Sequence, residues 1–243
     1  MNLPFFSRGF SRLGSRATAS ASARPRTLDA DRAPGLGEAL LVTLVSVIVM
    51  VGLYSGLDGR NARLVAEGHT LFQPLTSLDV RLPLVPGLTW VYYTYFPLTL
   101  SLHVITYRSR ARLYEAFAGY LVLACTGFLF FYFLPSRMIQ PSLSACDSAS
   151  CRALDVMYRS DDGFNAFPSM HVAYSVYVAL FFRDHLRKWS PIPIALAAGI
   201  ALSTVLCKRH FLVDVPAGAT LALASRPVAK AAASFVARWR VAR

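Results

Sequence analysis

Six apolar runs dominate this chain and constrain its fold more than any other feature. They lie at 36–54, 88–107, 113–134, 167–182, 192–207 and 211–225. A hydrocarbon core of about 30 Å is crossed by about 20 apolar residues in a helix. The first three runs meet that length; the last three are short, and Pro216 with Gly218 interrupts the sixth. Only 16% of the residues are charged, against about 25% in soluble domains, and the charges crowd between the runs. The pattern predicts an all-α integral membrane protein, a bundle of six transmembrane helices.

Orientation follows from the excess of Lys and Arg in short cytoplasmic loops. With the N-terminus inside, seventeen of the 25 basic residues fall on the inner side, from Arg8 to Arg32, Arg108 to Arg112, Arg183 to Lys188 and Arg226 onward. The other eight are Arg60, Arg63, Arg81, Arg137, Arg152, Arg159, Lys208 and Arg209. Both termini are thus expected in the cytoplasm, and the expected location is a bacterial plasma membrane. The organisation has three parts: a basic, disordered arm over 1–35, a six-span catalytic unit over 36–225, and a basic tail over 226–243. The arm has no acidic residue before Asp29 and lacks the apolar stretch of a cleaved signal. Its composition fits contact with anionic lipid; a mitochondrial transit peptide shares it.

The net charge of +12 does not imply nucleic acid as a partner, because the basic residues flank apolar runs instead of forming one stripe. Cys125 and Cys207 read as small buried hydrophobes. Cys146 and Cys151, in CDSASC, can pair if their loop faces an oxidising compartment.

Ionisable groups at membrane depth are costly and point to function. Two clusters qualify. Phe167-Pro168-Ser169-Met170-His171 opens the fourth run, and Lys208-Arg209-His210-Phe211-Leu212-Val213-Asp214 joins the fifth to the sixth. The orientation set by charge puts both at the outer face. His210 and Asp214 are four residues apart and share a helix face. A carboxylate so placed holds an imidazole in the tautomer that frees its other nitrogen for attack. His171 can protonate a leaving oxygen. Lys208, Arg209 and Arg137 can neutralise phosphate oxygens, and Ser169 with the N–H groups of a helix start can bind them. Together these are the parts of a phosphoryl transfer through phosphohistidine.

PSMH followed by HFLVD, both at run starts, resembles the type 2 phosphatidic acid phosphatase superfamily of membrane lipid phosphatases. NAFPSMH and HFLVDVPAG resemble most its branch containing the inositol phosphorylceramide synthases. The resemblance spans roughly 113–225. It implies a six-helix membrane bundle, His210 as nucleophile, Asp214 as its orienter, His171 as general acid, a lipid phosphate substrate, and no metal or other cofactor. The chain departs from the family pattern at two motifs. K-x6-R-P is absent, with Phe133-Leu134-Pro135-Ser136-Arg137 in its place. In the third motif Ser203 is present, but Thr204 stands where arginine is usual. Lys208, Arg209 and Arg137 are the expected substitutes.

Plainer readings stand beside these. Ser169 can be a helix N-cap, Pro168 suits a first helical turn, and Lys208 and Arg209 can be interfacial charges. Asp161, Asp162 and Asn165 read as solvated loop residues around a Gly163 turn. The acceptor decides the activity. An alcohol such as inositol makes a head-group transferase, water makes a lipid phosphatase, and a chain that kept only the fold would be a lipid-binding scaffold.

Overall fold

The computed structural model describes residues 33–241 except residue 145, with side chains to residue 235. The first 32 residues of the basic arm and its arginines lie outside the described residues. Among those described the chain is all-helical, without strands, and has two isolated bridges, Phe72 with Ser136 and Arg137 with Phe164. In order the helices are α1 (Leu36–Ala66), α2 (Ser77–Arg81), α3 (Thr89–Tyr93), α4 (Tyr95–Thr106) and α5 (Arg110–Phe133). They continue with α6 (Ala149–Ser160), α7 (Met170–His185), α8 (Pro191–Leu206) and α9 (Asp214–Val241).

By length and composition α1 and α5 can each cross a membrane, and α8 is a shorter apolar helix. Along α1, Leu36, Leu40, Leu44, Val47 and Val51 are exposed, as suits a face turned to lipid. The other expected spans differ from their apolar runs for local reasons. The second is broken between α3 and α4, where Pro97 has no N–H for the Tyr93 carbonyl and its ring crowds that position. The sixth is longer than its run: Pro216 falls in the first turn of α9, where no N–H is needed, and the helix continues through Pro227.

The helices pack chiefly as α5 on α9, α7 on α8 and α9, and α1 on α5. Leu102, Leu123, Tyr177, Val178, Ile200 and Ala222 fill the shared core. The ring of Tyr177 occupies the notch left by Gly119 on α5, and its hydroxyl donates to the Glu115 carbonyl at 2.9 Å. Outside this core, α6 buries Cys151, Leu154, Met157 and Tyr158, and the Tyr158 hydroxyl donates to the Cys207 carbonyl at 2.7 Å. Cys146 and Cys151 form a disulfide with a Cα–Cα distance of 5.9 Å. Cys207 is buried as expected, but Cys125 is exposed on α5; an apolar run does not reveal which of its residues face outward.

One close approach fixes α7 against α9. A Cβ on Gly218 would collide with the Ser169 carbonyl oxygen, so no side chain fits there. Gly218→Ala is expected to cost about 1–3 kcal/mol as overpacking, read as a lower thermal midpoint in detergent. Gly52, on α1, has nothing within 4 Å of that position. Gly52→Ala should be neutral or slightly stabilising because alanine favours helix. Equal effects from the two substitutions would refute the close-packing account.

Candidate active site

Two helix starts meet here. Ser169 is the N-cap of α7, its hydroxyl accepting the Val172 N–H at 3.4 Å, and its own N–H donates to the Asp214 carbonyl at 3.2 Å. Pro168 precedes this cap and therefore lies outside the first turn, because the extended Ser169 delays helix entry. Between α8 and α9 the chain turns sharply. Arg209 N–H and His210 N–H both donate to the Thr204 carbonyl, at 2.8 and 3.1 Å, and Lys208 takes a left-handed φ of 51°. That conformation costs a non-glycine residue roughly 1–2 kcal/mol. Its side chain offsets the cost by bonding the Asp79 and Leu82 carbonyls at 2.7 and 2.8 Å. The Asp79 carboxylate in turn accepts the Leu212 N–H at 2.7 Å. Burial works against that charge, but the Thr76 and Leu212 donors and the Lys208 ammonium hold the carboxyl below its usual range.

His210 is buried, 6% exposed. Its Nδ1 lies 2.8 Å from the Ala166 carbonyl oxygen and 3.3 Å from Asp214 Oδ2. Both partners only accept, so Nδ1 carries the proton and Nε2 keeps its lone pair. Asp214 is fully buried and also accepts the Phe211 N–H at 2.9 Å. His210 Nε2 faces His171 Nδ1 at 3.4 Å. On the far side of His171, Nε2 lies 2.7 Å from the Tyr92 hydroxyl. The orientation forced on His210 therefore runs outward: His171 Nδ1–H donates to His210, and Tyr92 donates to His171. The Tyr95 ring also packs against His171, tilted by 55° with ring centres 4.5 Å apart.

Arg209, 4% exposed, pairs with Asp161 at 2.5 Å and donates to the Asp161 carbonyl at 2.8 Å. The Tyr54 hydroxyl of α1 donates to the same carboxylate at 2.9 Å. Burial alone would raise the Asp161 carboxyl. The Arg209 charge and hydrogen bond, the Gly163 N–H and the Tyr54 hydroxyl outweigh burial and hold it below the usual carboxylate range. Arg209, Asp161, Asn165, His171 and His210 line one cavity of about 30 Å³. A larger apolar cleft of about 260 Å³ opens beside it between α1, α4, α5 and α7, sharing Tyr54, Phe131, Asp161, Met170 and His171 with it.

Of the residues singled out in the sequence, His171, Arg209, His210 and Asp214 come together. Ser169 reaches the group through its backbone, with its hydroxyl engaged in capping. Lys208 is turned onto backbone carbonyls, away from the cavity. Arg137 lies half-buried over the Phe164 ring, 4.7 Å from its centre, 3.4 Å from the Asp162 carbonyl. Asp161 and Asn165 correct the expectation of solvated loop residues: one is ion-paired and the other is 3% exposed. Tyr92 carried no sequence signal, since its partner is 79 residues away.

This is an all-helical chain with two histidines at adjoining helix starts, one oriented by a carboxylate four residues on. The family model of the PAP2 superfamily matches residues 76–228, and the chain belongs to that superfamily. Its members are phosphatases or phosphotransferases, which places this chain in phosphate-ester chemistry and, with its apolar helices, in association with membranes. No curated protein and no solved structure matches it.

Proposed function

We propose that the chain is a six-span membrane enzyme that transfers a phosphoryl or phospho-head group from a lipid phosphate ester through phosphohistidine, as in the inositol phosphorylceramide synthase branch. One observation carries the reading: His210 has its Nδ1 proton fixed by two acceptors and its Nε2 lone pair facing a second histidine. In the first step Nε2 bonds to phosphorus, and the bond from phosphorus to the leaving oxygen breaks. His171, neutral in the resting pair, takes up a proton as the anionic substrate binds. As the imidazolium it gives the leaving oxygen its Nδ1 proton and is left neutral, with the remaining hydrogen on Nε2 toward Tyr92. The substrate must part the two rings, because 3.4 Å between their nitrogens leaves no room for phosphorus. In the second step the acceptor's hydroxyl oxygen bonds to phosphorus, its proton passes to His171, and the phosphorus–nitrogen bond breaks.

Arg209 is the cation best placed for the phosphate. Ser169 acts through the α7 start, while Lys208 and Arg137 have weaker claims because both are engaged elsewhere. The apolar cleft beside His171 suits the hydrocarbon part of a lipid ester. The Cys146–Cys151 disulfide supports an outward-facing loop, and with it a site on the outer face and cytoplasmic termini.

The test uses purified protein in detergent with EDTA, a panel of phospholipids and polyprenyl pyrophosphates, and inositol. Free phosphate and new lipid species are followed by mass spectrometry. A head-group-exchanged lipid formed with EDTA present is the expected product. Phosphate release alone would assign water as acceptor, and metal-dependent turnover would refute the mechanism.

A further inference from the structure

Asn165 is buried and takes a left-handed φ of 56°, a conformation that asparagine tolerates better than other side chains. Its Oδ1 accepts from Asn61 Nδ2 of α1 at 2.8 Å, and Asn61 Oδ1 accepts from Arg60 at 3.1 Å. This chain of donors runs from a guanidinium through two amides and fixes which end of Asn165 is which. The remaining donor, Nδ2, is buried and has no hydrogen-bond partner among the described residues. Arg209 Nε is in the same condition. Both residues line the cavity that His171 and His210 share. A buried donor without an acceptor costs stability, and two beside one nucleophile need a common explanation.

We propose that Asn165 Nδ2 and Arg209 Nε form a two-donor pocket for the non-bridging phosphoryl oxygens, with Asn165 as a substrate-binding residue. The proposal rests on the phosphoryl-transfer reading and adds a neutral donor to it. Such donors act where charge develops in the transition state, and removing one typically costs 10²–10³-fold in rate. The role falls to an amide because Asn61 already holds its oxygen, leaving only hydrogens to present. It also gives α1 a part in the site, since Asn61 sets the amide's orientation.

Two variants test it. Asn165→Asp keeps an acceptor for Asn61 and puts an oxygen where the donor was; Asn165→Gly removes the side chain and suits the backbone angle. Binding of inorganic phosphate and tungstate is measured by calorimetry, with kcat/KM followed separately on whichever substrate turns over. Asn165→Asp is expected to weaken anion binding by at least tenfold and kcat/KM by about 10²-fold, and Asn165→Gly to weaken both by less. Anion affinities equal to wild type in both variants would overturn the proposal, even if His210-dependent transfer is found. Lost anion binding in a protein that transfers no phosphoryl group would uphold the pocket and refute the transfer reading. Should Asn165→Asp not fold, Asn165→Gly alone decides.

Discussion

His210→Ala is expected to abolish turnover, with a loss on the order of 10⁴- to 10⁶-fold, as when a covalent nucleophile is removed from other enzymes. The reason is local. His210 Nε2 is the lone pair that the Ala166 carbonyl and Asp214 orient toward His171, and alanine offers no substitute. The fold should survive, because the turn that holds residue 210 is closed by backbone bonds to the Thr204 carbonyl. The decisive measurement is quenching of the reaction with a ³²P-labelled substrate. Wild-type protein should retain label that is stable to alkali and labile to acid, as phosphohistidine is, and the variant should retain none. Activity within tenfold of wild type in a folded His210→Ala protein would remove this histidine from the mechanism.

The second large effect is on stability. Arg209→Ala leaves the Asp161 carboxylate without its guanidinium partner in a largely buried position, and breaking a buried pair this way costs about 3–5 kcal/mol. Asp161→Asn in the same chain should recover part of the loss, because a neutral amide tolerates burial better than an unpaired anion. Arg209→Lys should recover little, since one ammonium cannot reproduce the guanidinium's contacts with both the Asp161 carboxylate and its carbonyl. The pH dependence has a definite sign. The folded carboxyl titrates below its ordinary value, so the pair contributes fully above the unfolded aspartate pKa of about 3.9. That contribution is lost as pH falls through the lower folded value. The pair's effect on thermal midpoints in detergent should therefore be full and constant with pH near neutrality, and the gap between wild type and the double variant should narrow in acid. A single-variant cost under 1 kcal/mol with no recovery from Asp161→Asn would show the pair to be dispensable.

The histidine pair and its aspartate were legible in the sequence because each stands at the start of an apolar run, and charge counting put both starts on one side. Helical character was legible for the same reason of run length. The amphipathic α6 was not assigned from its polar stretch, although Cys151, Leu154 and Tyr158 recur at helical spacing. The partners of Arg209 and His171 were hidden by distance along the chain: Asp161 is 48 residues from Arg209, and Tyr92 is 79 from His171. Lys208 misled for a different reason. Beside a catalytic histidine its charge suggests phosphate, but the left-handed backbone turns the side chain onto the carbonyls of the α2 segment. Asn165 was passed over because glycine and aspartate neighbours mark a surface turn, and nothing local reveals the α1 amide that covers it.

The docking of α7 on α9 has a consequence for how the site responds to acidity. Ser169 N–H bonds to the Asp214 carbonyl, and Gly218 leaves no side chain between the two helices. Their N-terminal ends are thereby brought to one place. Each such end carries roughly half a positive charge from its aligned peptides, and peptides have no proton to gain or lose between acid and alkali. The attraction this offers an anion is therefore permanent, set by backbone geometry alone. Any bend in a pH–rate curve at neutral pH then reports on the histidines or on the substrate, and not on the field that draws the substrate in.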